Sequence, residues 1–449
     1  MSFLTILILV YLAALLWYGL RGERFAGNSR TFLTSGGTVG VIFCALSLVS
    51  TIVGGSATLG MGSLAKKTGA AAFWWLGVGV IGLFIHGYLI APKIRALPCV
   101  TLPEVAGYVA GKNAERWAGA IIAVSWIAVT AAQFVALHAL LAALDSPAVA
   151  EILYLAIAAV VLLHTVSGGQ HAVIRTDAVQ AVCLLGGFTA AAFWLWEAKP
   201  AETAALAWVP FNDAFGWGDW AKLMLLVGIT YIIGPDMFSR TFSARSGRTA
   251  RLAAWFAAPV LLWFGVVITY LAMMNLDAAQ PVAGWLSDQS AMPLWLRGAI
   301  ALGLVSALCG SADTVLLSAA GIAERSLLGG DRTSMVRFFV TLFGIAAAAS
   351  VYLSGDIIKL LLTAYSLFVP GVAVPLLIAL LGPVRRINAG WWLAGAAAGG
   401  VCGLVGNLTG NGDWTLFGMA LSAAGAVLAR VFSRTGEAFE SEAGIKKAV

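Results

Sequence analysis

Charge is what this sequence has least of. Only 11% of its 449 residues are Asp, Glu, Lys or Arg, less than half of the roughly 25% usual in a soluble globular chain. With 60% of residues from AVILMFWYC and a mean hydropathy of +0.91, a water-soluble fold could not hide the apolar surface, because even large domains leave much of theirs to solvent. The same figures exclude an intrinsically disordered chain. Cysteine is scarce and scattered: Cys44, Cys99, Cys183, Cys309 and Cys402 stand singly. Without a C-x-x-C pair or ligand spacing there is no disulfide framework and no zinc site. His86, His138 and His164 are isolated too, and read as packing or interfacial hydrogen bonds rather than a proton relay. A phosphate loop is missing: Gly77-Val78-Gly79-Val80-Ile81-Gly82 matches G-x-G-x-x-G in form, but it lies inside an apolar run with no strand before it. It reads as a close-packing helix face. No paired catalytic motif appears, so the chain does not read as an enzyme.

Long apolar runs are what the chain has instead. A helix needs about 20 apolar residues to cross the hydrocarbon core, and thirteen such runs occur, near 2–20, 39–63, 70–91, 116–144, 149–166, 173–197, 220–239, 251–275, 294–324, 335–354, 357–381, 390–408 and 414–432. The first is not a cleaved signal peptide, since Arg21 and Arg24 follow the apolar stretch instead of preceding it. The net charge of +6 therefore indicates orientation, not a nucleic-acid partner. With the N-terminus outside, 21 of the 27 Lys and Arg fall in inner loops and at the C-terminal end from Arg430 on, leaving Lys66, Lys67, Lys199, Lys222, Arg297 and Lys359 outside. The chain reads as a multi-pass protein of a plasma (inner) membrane, N-terminus out and C-terminus cytoplasmic.

Two runs are interrupted at mid-depth. The second carries Val53-Gly54-Gly55-Ser56, the seventh Tyr231-Ile232-Ile233-Gly234-Pro235-Asp236. Backbone freed by Gly and Pro is tolerated in a bilayer only where it lines a cavity or is buried in protein. Two breaks five spans apart point to inverted repeats with a binding site at the breaks. Gln133, Trp74 and Trp75 are candidate solute contacts, the tryptophans reading equally well as an interfacial aromatic belt. Two carboxylates stand out because intramembrane charge is costly: Asp177, and Asp313 within Ala307-Leu308-Cys309-Gly310-Ser311-Ala312-Asp313-Thr314. Ala307, Gly310, Ser311 and Thr314 share a helix face whose hydroxyls and carbonyls suit a hard alkali cation.

In these residues the chain resembles the sodium:solute symporters, which have the LeuT-type fold. The likeness rests on four stretches: Thr101-Leu102-Pro103-Glu104; Gly168-Gly169 through Thr176-Asp177 and Gln180; Gly234-Pro235 with Arg240; and Ala307 through Leu317. The resemblance implies an all-α polytopic fold of about 13 transmembrane helices. Residues 1–38 would hold an extra helix and inner loop, 39–198 and 199–382 two inverted repeats of five helices, and 383–449 two further helices and a short tail. It implies a sodium ion on carbonyls at Ser50 and Val53, the Ala307 and Gly310 region and the Ser311 hydroxyl. In some members a second sodium site uses positions matching Asp177, Gly310, Asp313 and Thr314. The solute would lie between Ile52, Gly54, Gly55 and Ser56, Trp74, Gln133 and Tyr231. The family's usual Ser-Thr pair reads Gly310-Ser311 here, one hydroxyl fewer. The function implied is sodium-coupled symport of a small organic solute by alternating access; a proton-coupled symporter of the same fold and a transporter-like sensor are the alternatives. Expected partners are the solute, sodium as coupling ion and the lipid bilayer, with no obligatory protein partner inferred.

Overall fold

The computed structural model describes residues 3–22, 28–144, 146–198, 208–287, 292–353 and 355–433. The expected charged tail, with Arg434, Lys446 and Lys447, lies outside the described residues, as do Arg24 and Lys199. Among the described residues eleven helices are long and apolar enough to cross a membrane, not thirteen. The difference is one of joints. Ser56–Arg95 and Pro147–Glu197 run 40 and 51 residues, about twice what a crossing needs. Each turns at a glycine: Gly69 at φ 59°, ψ −138° and Gly169 at φ 55°, ψ −159°, conformations from which a Cβ is largely barred. Divided there, and with Val41–Ile52 supplying a first half-helix, the segments number thirteen.

They are designated α1 (Phe3–Gly22), α2 (Val41–Ile52 and 56–68), α3 (69–95), α4 (Lys112–Ala142), α5 (147–168), α6 (170–198), α7 (217–232 and Pro235–Ser243), α8 (Gly247–Met273), α9 (Leu294–Ile322), α10 (Thr333–Ala349), α11 (Ile357–Leu380), α12 (Ala389–Thr409) and α13 (Gly412–Val431). Local sequence starts many of them. Ser246, Asp356 and Asn388 cap α8, α11 and α12 by accepting from the amides of Thr249, Lys359 and Gly390. Thr101 caps a short helix, Leu102–Ala110, that follows α3.

Burial sorts the helices into core and periphery. The apolar window of α9 is 94% buried, against 22% for α10 and 39% for α12 and α13. A helix apolar all round belongs in the centre of a membrane bundle or against lipid, and α9 takes the centre. Side chains such as Val10, Ile42 and Trp196 face outward. Several cations assigned to the inner side gather at one end of the bundle. Lys93 donates to the carbonyls of Leu380 and Gly382, Arg430 to that of Ile378, and Arg325 to Glu104 at 2.5 Å.

Two helices are broken, at 53–55 in α2 and 233–234 in α7. Side chains from neighbouring helices take up the freed backbone groups. At the α2 break the Gly55 amide donates to Gln133 Oε1 (2.7 Å) on α4, and Ser311 Oγ on α9 donates to the carbonyl oxygens of Thr51 (2.8 Å) and Ser50 (3.2 Å). At the α7 break His86 of α3 lies with Nδ1 2.8 Å from the Ile232 carbonyl oxygen and Nε2 3.0 Å from Thr241 Oγ1.

The glycine run of α3 sets where α7 sits. A Cβ at Gly82 would come within 2.6 Å of the Gly228 carbonyl oxygen and 2.8 Å of Tyr231 Cβ; one at Gly79 would meet the Tyr231 ring at 2.8 Å. The run is thus the close-packing face expected of it. Overpacking costs about 1–3 kcal/mol, so Gly82→Val should lower the thermal unfolding temperature of the purified protein by several degrees. Gly186→Ala, on an open helix face, should leave it unchanged or slightly raised. Equal unfolding temperatures for the two variants would refute this account of the α3–α7 contact.

Candidate functional site

Between the two breaks lies a cavity of about 50 Å³, room for a few water-sized groups. Ile52, Gly54 and Ser56 of α2, Trp126 and Gln133 of α4, Tyr231 and Asp236 of α7 and Tyr365 of α11 line it. Five of the seven residues expected to hold a solute are therefore brought together. Gly55 stands just behind them, its amide on Gln133. Trp74 does not join. It follows the short 3-10 stretch Gly69–Phe73, near the 208–216 loop, where its Nε1 donates to the Pro210 carbonyl (2.9 Å) and its ring packs on Phe211 and Trp220. The aromatic-belt reading describes it better.

Sequence reasoning passed over Trp126, Asp236 and Tyr365. A signal existed for two of them. Trp126 precedes Gln133 by seven residues, two helical turns along one face, and Asp236 closes the hexapeptide of the α7 break. The structure joins them: Trp126 Nε1 donates to Asp236 Oδ1 at 3.0 Å and Oδ2 at 3.2 Å.

The expected cation residues divide into two groups. Ser50, Gly310 and Ser311 meet where α9 crosses the end of the first half of α2; Val53 and Ala307 lie on the same two helices, Val53 at the break itself. There the Ser311 hydroxyl and the Ser50 and Thr51 carbonyls form an oxygen cluster, donor chemistry that fits a hard alkali cation. A Cβ at Gly54 would press on Ser311 Oγ at 2.6 Å, so glycine is needed for this approach. Gly310 is hemmed in likewise: a Cβ there would lie 2.8 Å from Ser50 Oγ and 2.9 Å from Asp177 Oδ1 and would run into Gln180 Oε1. The hydroxyl missing at 310 is replaced by side chains from α2 and α6 crowding into its place.

Asp177, Asp313 and Thr314 do not converge on one point. Asp177 is fully buried, and its Oδ2 accepts from Ser47 Oγ (2.6 Å) and Arg240 Nη2 (2.8 Å). Arg240, 1% exposed, also donates to Ser47 Oγ (3.0 Å) and to Thr314 Oγ1. A guanidinium from α7 thus stands between Asp177 and Thr314, where the resemblance would put a second cation. Asp313 faces elsewhere: its Oδ1 accepts from Thr165 Oγ1 (2.5 Å), and its Oδ2 lies 2.9 Å from Nδ1 of the fully buried His164. His164, isolated in sequence, is paired in space.

Breaking a buried ion pair from one side costs about 3–5 kcal/mol, because a desolvated charge is left behind; replacing both partners by apolar groups costs far less. Asp177→Leu and Arg240→Met should each markedly destabilise the purified protein, and the double variant should recover most of the loss in thermal unfolding. Simply additive losses would mean that the two side chains do not act as a pair.

Comparison with known proteins agrees with this geometry. The model of the sodium:solute symporter family matches residues 32–198. Sodium/proline symporter 2 of Staphylococcus saprophyticus is 29% identical over 106 residues, which is 22% of this chain and 20% of that one; the match spans a fifth of that relative's length. Among solved structures, a Na+-coupled sialic acid symporter in a substrate-bound outward-open state aligns with a TM-score of 0.76 at 15% identity, covering 97% of this chain and 100% of that one. A nucleobase-cation-symport-1 family transporter, Mhp1, closed around bromovinylhydantoin, aligns at 0.65 and 11% identity over 93% and 98% of the two chains. These relatives are transporters, not enzymes. The chain is thus a multi-pass membrane protein of the LeuT-type fold which, over residues 32–198, is recognisably similar to the sodium:solute symporters.

Proposed function

We propose that the protein carries a small organic solute across the membrane by symport with sodium. The observation that carries this reading is the oxygen cluster at the α2 break, where Ser311 reaches the carbonyls of Ser50 and Thr51 beside a cavity bounded by the α7 break. Sodium would be held by the carbonyls at Ser50 and Val53, the Ala307 region and the Ser311 hydroxyl, with Gly310 allowing the close packing. The solute would be held by Ile52, Gly54, Ser56, Gln133 and Tyr231, with Gly55 keeping Gln133 in place and Trp126, Asp236 and Tyr365 added. No second cation is assigned to Asp177, Asp313 and Thr314, whose oxygens serve Arg240, Ser47, Thr165 and His164.

The coupling follows from the architecture. A cation on Ser311 and the α2 carbonyls would tie the broken helix to α9 and so favour one arrangement of the break over another. Only such a difference in affinity between arrangements can link ion and solute. Residues 39–198 and 199–382 are the two repeats that would rock against each other. With the N-terminus outside and the C-terminus in the cytoplasm of a plasma membrane, the inside-negative potential would add about 2.3 kcal/mol per 100 mV for each sodium.

Sodium should raise the thermal unfolding temperature of the purified protein, and potassium at equal ionic strength should not. Ser311→Ala should shift the half-saturating sodium concentration upward by tenfold or more, without loss of expression. In proteoliposomes, uptake of solutes found by screening should require sodium outside. Uptake driven by a pH gradient in potassium and indifferent to sodium would overturn the assignment.

A further inference from the structure

The central cavity is lined by a carboxylate and, among the described residues, by no basic side chain. Of the described residues that line it, Asp236 alone carries a formal charge; Lys, Arg and His do not contribute. Arg240 lies one turn further along the same half-helix, its Nε and Nη2 held by Asp177, Ser47 and Thr314 and its Nη1 without a hydrogen-bond partner; shared between Asp177 and Asp236, this one cation leaves the group with one net negative charge. The Trp126 indole N–H donates to both oxygens of Asp236. That fixes the carboxylate's direction without neutralising it. Asp236 also opens the half-helix Pro235–Ser243, a position that favours an acidic residue for the sake of the helix dipole. This helix-starting role does not require three aromatic residues, Trp126, Tyr231 and Tyr365, to line the same cavity.

We propose that the solute is an organic ammonium, held by Asp236 as counter-charge and by the rings of Trp126, Tyr231 and Tyr365. This assignment rests on the reading of the cavity as the solute site and names the class of solute it takes. Three physical arguments select the class. A neutral solute would seal the Asp236 carboxylate away from water with no counter-ion, the costly case for a buried charge. An anion would meet like charge. A positively charged nitrogen meets the carboxylate and three aromatic residues of the same lining, the residue types that bind ammonium groups by cation–π attraction. The volume of about 50 Å³ further favours a small head group. Zwitterions belong to the class when their ammonium end takes this position.

The test uses the full chain in lipid nanodiscs with sodium present and matched pairs of probes that differ in charge but not shape. Choline and 3,3-dimethylbutan-1-ol form one pair, n-butylammonium and n-butanol the other, with binding read as thermal stabilisation. At least one ammonium probe should half-saturate at a concentration tenfold or more below that of its neutral counterpart. Asp236→Asn should shrink this preference to less than twofold, and Asp236→Glu should retain it. The assignment is overturned if neither ammonium probe binds, if the neutral probes bind as well, or if Asp236→Asn keeps the preference. The native comparison decides the question even if a variant fails to fold. Because binding is read without transport, charge-blind binding would defeat the ammonium assignment alone. Sodium-independent uptake would defeat the symport reading alone.

Discussion

No water reaches the middle of a bilayer to satisfy a peptide group, and the rest of this structure answers to that constraint. Breaking a helix at mid-depth exposes carbonyls and amides that would each cost several kcal/mol if left unpaired. The α2 break survives because Gln133 and Ser311 reach it from α4 and α9, and the α7 break because His86 reaches it from α3. Each satisfying side chain requires its helix at close range. Close range in turn requires glycine on the approaching faces, as at Gly54, Gly79 and Gly82. The breaks, the glycines and the few polar side chains of the core form one connected solution to a hydrogen-bonding problem.

The same economy governs charge. Each ionisable side chain near the centre has a partner or faces the cavity. Asp177 holds Arg240, Asp313 holds His164, and Asp236 accepts from Trp126. Such pairs contribute little net stability, because desolvation offsets most of the attraction. Their consequence is positional: Arg240 pins the second half of α7 to α2, α6 and α9 through Ser47, Asp177 and Thr314. One break is therefore anchored by an ion pair, while the other is held by neutral oxygens. Under the proposed sodium coupling, that asymmetry makes the α2 break the place where a bound cation would alter the balance.

Much of this was legible in the residues. Thirteen apolar segments, two interruptions and the small, hydroxylic face around Ser311 all follow from local composition and period. Ile52, Gly54, Ser56, Gln133 and Tyr231, singled out from the breaks alone, do line one cavity, because a broken helix must line something. Trp74 was misplaced, since an aromatic residue near a span's end looks alike whether it faces solute or loop, and only the turn at Gly69 determines its level. Asp177, Asp313 and Thr314 were grouped because the resemblance put a second cation at the matching positions. Their side chains leave the helices in different directions and find partners 63 to 148 residues away.

The sequence by itself determined that the chain lives in a membrane, where its long apolar segments lie, where two of them must break and which residue types the breaks present. These are properties of solvent preference and local backbone chemistry, and each is written within a window of about twenty residues. Only the tertiary structure decided which buried charge meets which. It placed Arg240 in the position a second cation would need, gave His164 to Asp313 and turned Asp236 and Trp126 toward the same cavity. Pairing in a low-dielectric interior depends on distances of a few ångströms between helices far apart in the chain, and no local pattern encodes those.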